Sequence, residues 1–348
     1  MDTVIARTTH VREQVDRHLA RLLDQQVRRL GFLDATELDL VREYLAEFVL
    51  GGGKRLRPSF VYWGYRAAGG ERMEAVLPAA CAVELVHAAA LLLDDVMDEA
   101  GSRRGRPTAH VALAALHRRA GWRGEAGRFG ESAATLLALL ALSWADAALL
   151  ETGPHLAATL DILTRMRVEA IGGQYLDLAR TAGAVTGDEP SRVISLYKSG
   201  KYTVERPLHL GHAVADGDPE TRRTLSAYAL PLGEAFQLRD DVNGVFGDPA
   251  RTGKPAGADL LQGKATYLLA YARRETGSPL LDDITDQRGV AAARELIVAC
   301  GALDAAERRI AALADEAVTA LDQSPGIPPD ARQALVDLAA LCTGRDSR

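Results

Sequence analysis

The sequence predicts an all-α fold, on three observations. Aromatic residues make up only 5% of the chain and β-branched residues are sparse. Alternation of period two is hard to find. Ala, Leu, Arg and Glu recur at helical spacing almost throughout. A hydrophobic content of 47% over 348 residues is enough to bury a large core, so disorder is excluded for most of the chain.

Each helix is bounded by its own punctuation. Periodicity places the first at 4–30 and the second at 35–50, the latter stopped by the glycine triplet 51–53. A third runs 56–68, to Gly69-Gly70. The fourth, 73–99, is apolar until it reaches a run of carboxylates. After the Gly- and Arg-rich segment 101–107, a fifth covers 107–119. The stretch 118–128, with Trp122 and Phe129 nearby, reads as a mobile surface loop. A sixth helix, 131–150, holds the longest uncharged apolar run, 132–145, and ends before Gly153-Pro154. Further helices are expected at 155–180, 190–215, 218–247 and 260–276, with three more after 287. The intervening turns are mostly short enough to join antiparallel neighbours. With no long linker, composition shift or internal repeat, the reading is one domain over 1–348, a bundle of ten or more helices, with 343–348 as a flexible tail.

Charge and cysteine content exclude several function classes. Lys and Arg number 41 against 47 Asp and Glu, a formal net charge of −6, which argues against a nucleic-acid protein. The three cysteines, Cys81, Cys300 and Cys342, are far apart without CxxC spacing, so neither a disulfide framework nor a thiolate zinc site is suggested, and a cytoplasmic setting fits. Charges at Asp2, Arg7, Arg12, Glu13, Asp16 and Arg17 leave no room for a signal peptide. The run 132–145 falls short of the roughly 20 residues that span a bilayer, so no membrane protein is expected.

The chemistry concentrates where apolar helices present carboxylates. In Leu91-Leu92-Leu93-Asp94-Asp95-Val96-Met97-Asp98, Asp94 and Asp98 stand four apart, one above the other on one face. Such a pair is either a solvated helix end or a site where a cation relieves the repulsion. Carboxylates without His or Cys neighbours select Mg²⁺ over Zn²⁺. A second pair, Asp240-Asp241, sits in the apolar helix that ends at Phe246. Cations recur at Lys54-Arg55 and Arg57, Arg103-Arg104, Lys198 and Lys201, Lys254, and Lys264. Together these suit phosphate-bearing ligands, with Arg giving bidentate hydrogen bonds and Lys point charge. GGGKR lacks the GxxxxGK[ST] spacing of a nucleotide-binding loop, which disfavours a nucleotide kinase.

From about Gly51 to Tyr271 the chain resembles the trans-isoprenyl diphosphate synthases (polyprenyl synthetases), and most of all bacterial geranylgeranyl diphosphate synthases. The resemblance runs through GGKRLRP, ELVHAAALLLDDVMD, RRGRPT, GGQYLDL, YKSGKYT, FQLRDD and GKPAGADLLQGKAT, seven motifs in family order. It implies the isoprenoid synthase fold: an all-α bundle around a central apolar cavity, with two Asp motifs facing across its mouth. It implies two or three Mg²⁺ ions held by Asp94, Asp98 and Asp240, with Asp95 and Asp241 orienting. Arg103, Lys201 and Lys254 match residues that bind the allylic diphosphate. Lys54, Arg57, His87 and Arg104 match those that bind isopentenyl diphosphate. Gln174, Asp177, Gln237, Asp259 and Lys264 fall on supporting polar positions. A homodimer is implied by the resemblance alone.

Three positions depart from the family pattern. A DDxxD second motif would need Asp where Gly244 stands. Ala138-Leu139 replaces a frequent Gly-Asp, which on the sequence removes a polar side chain from the core. Ala89 and Ala90, one turn before Asp94, stand where short-chain synthases often carry an aromatic ring. A turn rises about 5.4 Å, roughly one isoprene unit. With Val86 also small, a product longer than farnesyl diphosphate is expected, with geranylgeranyl diphosphate (C20) the expected end point. Trp144, Leu139, Leu136 and Leu116 are the candidates for the final stop. Two other readings stand beside the synthase: a terpene cyclase on the same scaffold, against which Lys54, Arg57 and Arg104 argue, and a noncatalytic partner subunit, against which the intact first motif argues.

Overall fold

Apolar residues spaced three and four apart roll the chain into helices almost from end to end. The computed structural model describes residues 2–103, 105–184, 193–248, 257–264 and 266–344. Helix α1 (Asp2–Arg28) buries Val11, Val15, Leu19, Leu22 and Leu23 along one stripe. In α2 (Ala35–Val41) the Asp34 carboxylate caps the start by accepting from the N–H groups of Thr36 and Glu37. A π-helical turn (Arg42–Ala46) and α3 (Glu47–Leu50) extend it to the glycine triplet. Then follow α4 (Leu56–Ala67), α5 (Met73–Met97), a two-stranded hairpin (β1 Ser102–Arg103, β2 Arg106–Pro107), α6 (Ala109–Ala120) and α7 (Ala126–Leu149). A 3₁₀ segment (Leu150–His155) leads into α8 (Leu156–Thr181). Beyond it come a π-helix (Ser195–Glu205), α9 (Arg206–Val214), α10 (Pro219–Phe246) and the short α11 (Ala258–Leu261). The chain closes with α12 (Tyr267–Thr276), α13 (Gln287–Ala299), α14 (Ala302–Asp322) and α15 (Pro329–Thr343). The fold is all-α, as the periodicity predicts.

The chain forms two compact units. In the first (1–164, 207–219 and 328–334) α5 packs against α4 and α7. By composition α5 could cross a membrane, yet 72% of its most apolar window is buried inside the protein, which makes it a core helix. Gly64 and Gly211 let α4 and α9 touch backbone to backbone. A Cβ on Gly64 would lie 2.2 Å from the Leu208 carbonyl oxygen, and one on Gly211 1.8 Å from that of Val61. The second unit (165–206, 220–327 and 335–348) has its own core, in which Leu238, Val242 and Val245 of α10 join Leu268 and Leu269 of α12, Ile297 of α13 and Ile310 of α14.

Three departures from the expected boundaries have a local reason. Helix α7 begins at Ala126 because Glu125 caps it, its carboxylate accepting from the N–H groups of Gly127 and Arg128. The expected loop over 118–128 therefore shrinks to a short connection, and it is anchored: Trp122 stacks edge-on against His117 and Phe129, and the His117 ring meets the Arg123 carbonyl oxygen at 3.1 Å. The expected helix 260–276 is interrupted, since Thr266 caps a new start at Tyr267. At the C-terminus Thr343 belongs to α15 and is fully buried, its carbonyl oxygen accepting from Arg239 Nε at 2.7 Å. Residues 345–348 of the expected tail lie outside the described residues.

Candidate active site

In the first unit α5 sorts its residues by face. Leu85, Val86, Ala88, Ala89, Leu92 and Asp95 are buried, whereas His87, Ala90, Leu91 and Asp94 keep accessible surface at the three, four and seven spacing of one helical stripe. Asp98 continues the stripe at the C-cap, its N–H bonded to the Asp94 carbonyl oxygen at 2.8 Å. The two carboxylates expected to hold metal thus share an accessible face. Asp95 turns the other way and is 2% exposed.

Burial of Asp95 demands a partner, and Arg103 supplies it. Arg103 Nε lies 2.9 Å from each Asp95 carboxylate oxygen and Nη2 lies 2.8 Å from Oδ1. The same Nη2 stands 3.6 Å from Asp94 Oδ2. The β1–β2 hairpin carries Arg103 to this position, tied down where the Thr108 hydroxyl donates to the Ala100 carbonyl oxygen at 2.6 Å. Arg104 lies outside the described residues.

At the start of α4, Arg55 adopts left-handed backbone angles (φ 47°, ψ 40°) that a non-glycine residue takes only under constraint. The constraint is its buried side chain. Nε donates to Asp16 Oδ1 at 2.8 Å, Nη1 to Glu84 Oε1 at 2.5 Å and Nη2 to the Val49 carbonyl oxygen at 2.8 Å. This strut joins α1, α3 and α5 and leaves the neighbouring Lys54 exposed and Arg57 part-exposed. The sequence groups Arg55 with Lys54 and Arg57 among cations suited to phosphate, whereas its side chain is engaged in this strut.

The second unit holds the remaining residues. Gly173 of α8 and Gly200 of the π-helix open space for close helix packing: a Cβ on Gly173 would lie 2.7 Å from the Lys198 backbone nitrogen, and one on Gly233 2.5 Å from the Gly200 Cα. Lys198 Nζ pairs with Asp177 at 2.6 Å, and Gln174 lies one turn earlier on α8, part-exposed. Lys201 Nζ stands 3.9 Å from both Glu169 and Glu205 and 4.9 Å from the centre of the Tyr197 ring. Arg206 forks onto Glu169 at 2.6 and 2.7 Å. Glu169, Glu205 and Arg206 were missed on the sequence, although Glu205 stands four residues after Lys201.

On α10, Asp240 is exposed and Asp241 is turned inward. Gln237 Nε2 donates to Asp241 Oδ1 at 2.8 Å and the Tyr267 N–H to Oδ2 at 3.3 Å. Burial raises the Asp241 carboxyl to about 7 against these hydrogen bonds, and Asp259 and Asp240 push it the same way. Asp259 pairs with Lys264 at 3.9 Å. Lys254 lies outside the described residues.

One expectation needs correction. Leu139 is 51% exposed and Leu136 61%, so the departure at Ala138-Leu139 removes no polar side chain from the core. Ala138 takes the buried position and Leu139 the exposed one, which also sets Leu136 and Leu139 apart from the buried Trp144 as candidates for the stop. Of the three chain-length positions, Val86 and Ala89 are enclosed at 3% and 1% exposure, and Ala90 alone keeps accessible surface.

The donor chemistry fits a hard divalent cation. Both acidic motifs offer carboxylate oxygens, and among the described residues no three His, Cys, Asp or Glu groups close into a cage. Carboxylate oxygens are the side-chain donors that Mg²⁺ takes, alongside water and phosphate oxygens.

Comparison with known proteins agrees with this chemistry. The family described as polyprenyl synthetase matches residues 38–299. A short chain isoprenyl diphosphate synthase of Methanocaldococcus jannaschii is 30% identical over 259 residues, 74% of this chain and 72% of that protein. A geranylfarnesyl diphosphate synthase of Aeropyrum pernix is 30% identical over 290 residues, covering 82% and 87%. Among solved structures, geranylgeranyl pyrophosphate synthase from Corynebacterium glutamicum, complexed with isoprenyl diphosphate and magnesium, superposes with a TM-score of 0.88 at 37% identity, covering 96% of this chain and 99% of that one.

Proposed function

The chain belongs to the polyprenyl synthetase family and is a prenyltransferase, and we propose that it condenses isopentenyl diphosphate with an allylic diphosphate (dimethylallyl, geranyl or farnesyl) to give geranylgeranyl diphosphate. The observation that carries the proposal is the accessible stripe of α5, where Asp94 and Asp98 end an apolar helix beside the clamped Arg103.

In this reading the C1–O bond of the allylic diphosphate ionises first, and the leaving diphosphate takes the electron pair. Two or three Mg²⁺ ions, held by Asp94, Asp98 and Asp240, would supply charge neutralisation to that leaving group. Arg103, Lys201 and Lys254 stabilise the charge that develops on it, fixed in advance by their carboxylate partners where these are described. Asp95 and Asp241 act one step back, orienting their neighbours. Lys54, Arg57, His87 and Arg104 bind isopentenyl diphosphate, whose double bond attacks the allylic cation. Loss of a proton from the new cation restores neutrality, and the departing diphosphate is the base at hand. Gln174, Asp177, Gln237, Asp259 and Lys264 support these groups.

Ala90 supports the C20 product. It stands on the stripe of Asp94 one turn earlier, about 5.4 Å along the helix, and its methyl group leaves room that an aromatic ring would close. The exposed Leu136 and Leu139 on α7 support a homodimer, since a second copy would cover them. A cytoplasmic location accords with three free cysteines.

The test incubates purified protein and Mg²⁺ with radiolabelled isopentenyl diphosphate and each allylic diphosphate in turn, then resolves the dephosphorylated products by length. Label in a C20 alcohol is expected. Consumption of the allylic diphosphate to hydrocarbon without label would overturn the reading in favour of a cyclase.

A further inference from the structure

Lys54 and Arg57 flank Arg55 on the loop and first turn that open α4, whereas His87 belongs to α5. Residues on two elements can grip one ligand only if something holds those elements in register. The glycine loop alone does not. Gly52 (φ +92°) and Gly53 (φ +135°) take positive φ angles that glycine favours, and no atom lies within 4 Å of where a Cβ on Gly52 would stand.

Arg55 supplies the register. Its Nη2 donates to the Val49 carbonyl oxygen at 2.8 Å, which staples residue 55 to residue 49 across the base of the loop that carries Lys54. Its Nη1 donates to Glu84 Oε1 at 2.5 Å, and Glu84 lies three residues before His87 on α5. Its Nε reaches Asp16 Oδ1 of α1 at 2.8 Å. The Arg55 side chain is 1% exposed, so these bonds are shielded from water. On its backbone side the Arg55 carbonyl oxygen accepts from the Ser59 N–H at 3.0 Å and the Ser59 hydroxyl at 2.8 Å, which locks residue 55 to the first turn of α4. The left-handed backbone at residue 55, without any side-chain cap on α4, is what this arrangement costs locally.

We propose that Arg55 is a positioning residue for isopentenyl diphosphate: through Glu84 and the Val49 carbonyl oxygen it sets Lys54 and Arg57 at a fixed spacing from His87 without touching the ligand itself. The inference rests on the functional reading above, in which those three residues bind that substrate. Lysine does not replace Arg55, because an ammonium lacks the planar fork that reaches three partners at once.

The test compares wild type, Arg55→Lys and Asp16→Asn by KM for each substrate, kcat and melting temperature. Calorimetry adds the affinity for isopentenyl diphosphate alone, which has no allylic C–O bond to ionise and stays intact. Arg55→Lys should raise the KM for isopentenyl diphosphate and weaken its calorimetric affinity, each about tenfold, while the KM for the allylic diphosphate and kcat at saturation stay within about twofold. Asp16→Asn keeps an acceptor for Nε at a side chain already 32% exposed, and should raise the KM for isopentenyl diphosphate about threefold with the melting temperature unchanged. A purely structural strut would lower the melting temperature and leave the two KM values in their wild-type ratio. That ratio in a folded Arg55→Lys overturns the inference, and if Arg55→Lys does not fold, the same ratio in Asp16→Asn overturns it. A wild-type enzyme that binds no isopentenyl diphosphate and incorporates no label fails the functional reading instead.

Discussion

Arg103 forks onto Asp95, with Nε 2.9 Å from both carboxylate oxygens, while its Nη2 stands 3.6 Å from Asp94. One guanidinium therefore spans a buried carboxylate and an accessible one. The DDVMD run is divided by its helix: Asp95, turned inward, holds the guanidinium, and Asp94 and Asp98 keep accessible surface on the other face.

The pair is asymmetric in burial, and its variants should be too. The Asp95 side chain is 3% exposed and that of Arg103 19%. Arg103→Gln strands a buried carboxylate and should cost about 3 kcal/mol. Asp95→Asn leaves Arg103 with a polar partner and access to water, and should cost about 1–2 kcal/mol. Urea unfolding measures both. A larger loss for Asp95→Asn would contradict the assignment of Asp95 as the buried anchor.

With C20 as the proposed wild-type product, Ala90→Phe should shorten the main product by one C5 unit, to C15, because the ring would sit on the Asp94 stripe one turn earlier. Ala89→Phe enters a position 1% exposed and should destabilise the protein by about 1–3 kcal/mol through overpacking. Product length by chromatography and thermal melting separate the two. A product of wild-type length from a folded Ala90→Phe variant would place the length control on another helix.

If the chain forms the proposed homodimer, Leu139→Asp should convert it to monomers with little change in the stability of the monomer itself, since the site is 51% exposed. Light scattering coupled to size exclusion reads the mass directly. A variant that keeps the dimer mass would show that this face of α7 is not the interface.

Helix order and most boundaries, to within a few residues, were legible in the sequence because apolar spacing and Gly/Pro punctuation are local signals. The misses were tertiary or side-chain effects. Glu125 capping moved the start of α7, and the Trp122, His117 and Phe129 contacts turned an expected mobile loop into an anchored turn. In the site, the first acidic motif and its spacing were readable, but spacing alone could not tell which Asp faces inward. Arg55 illustrates the same limit: its sequence neighbours Lys54 and Arg57 point to anion binding, whereas its own partners, Asp16, Val49 and Glu84, come from three separate elements.

The most direct test of the central claim is the steady-state rate of label incorporation from isopentenyl diphosphate by Asp94→Ala. Circular dichroism should show the fold intact, because Asp94 is an accessible residue at the end of α5. The account predicts a rate lower by about a thousandfold, the scale of losing a preorganised electrostatic group. A folded variant that runs near the wild-type rate would contradict it.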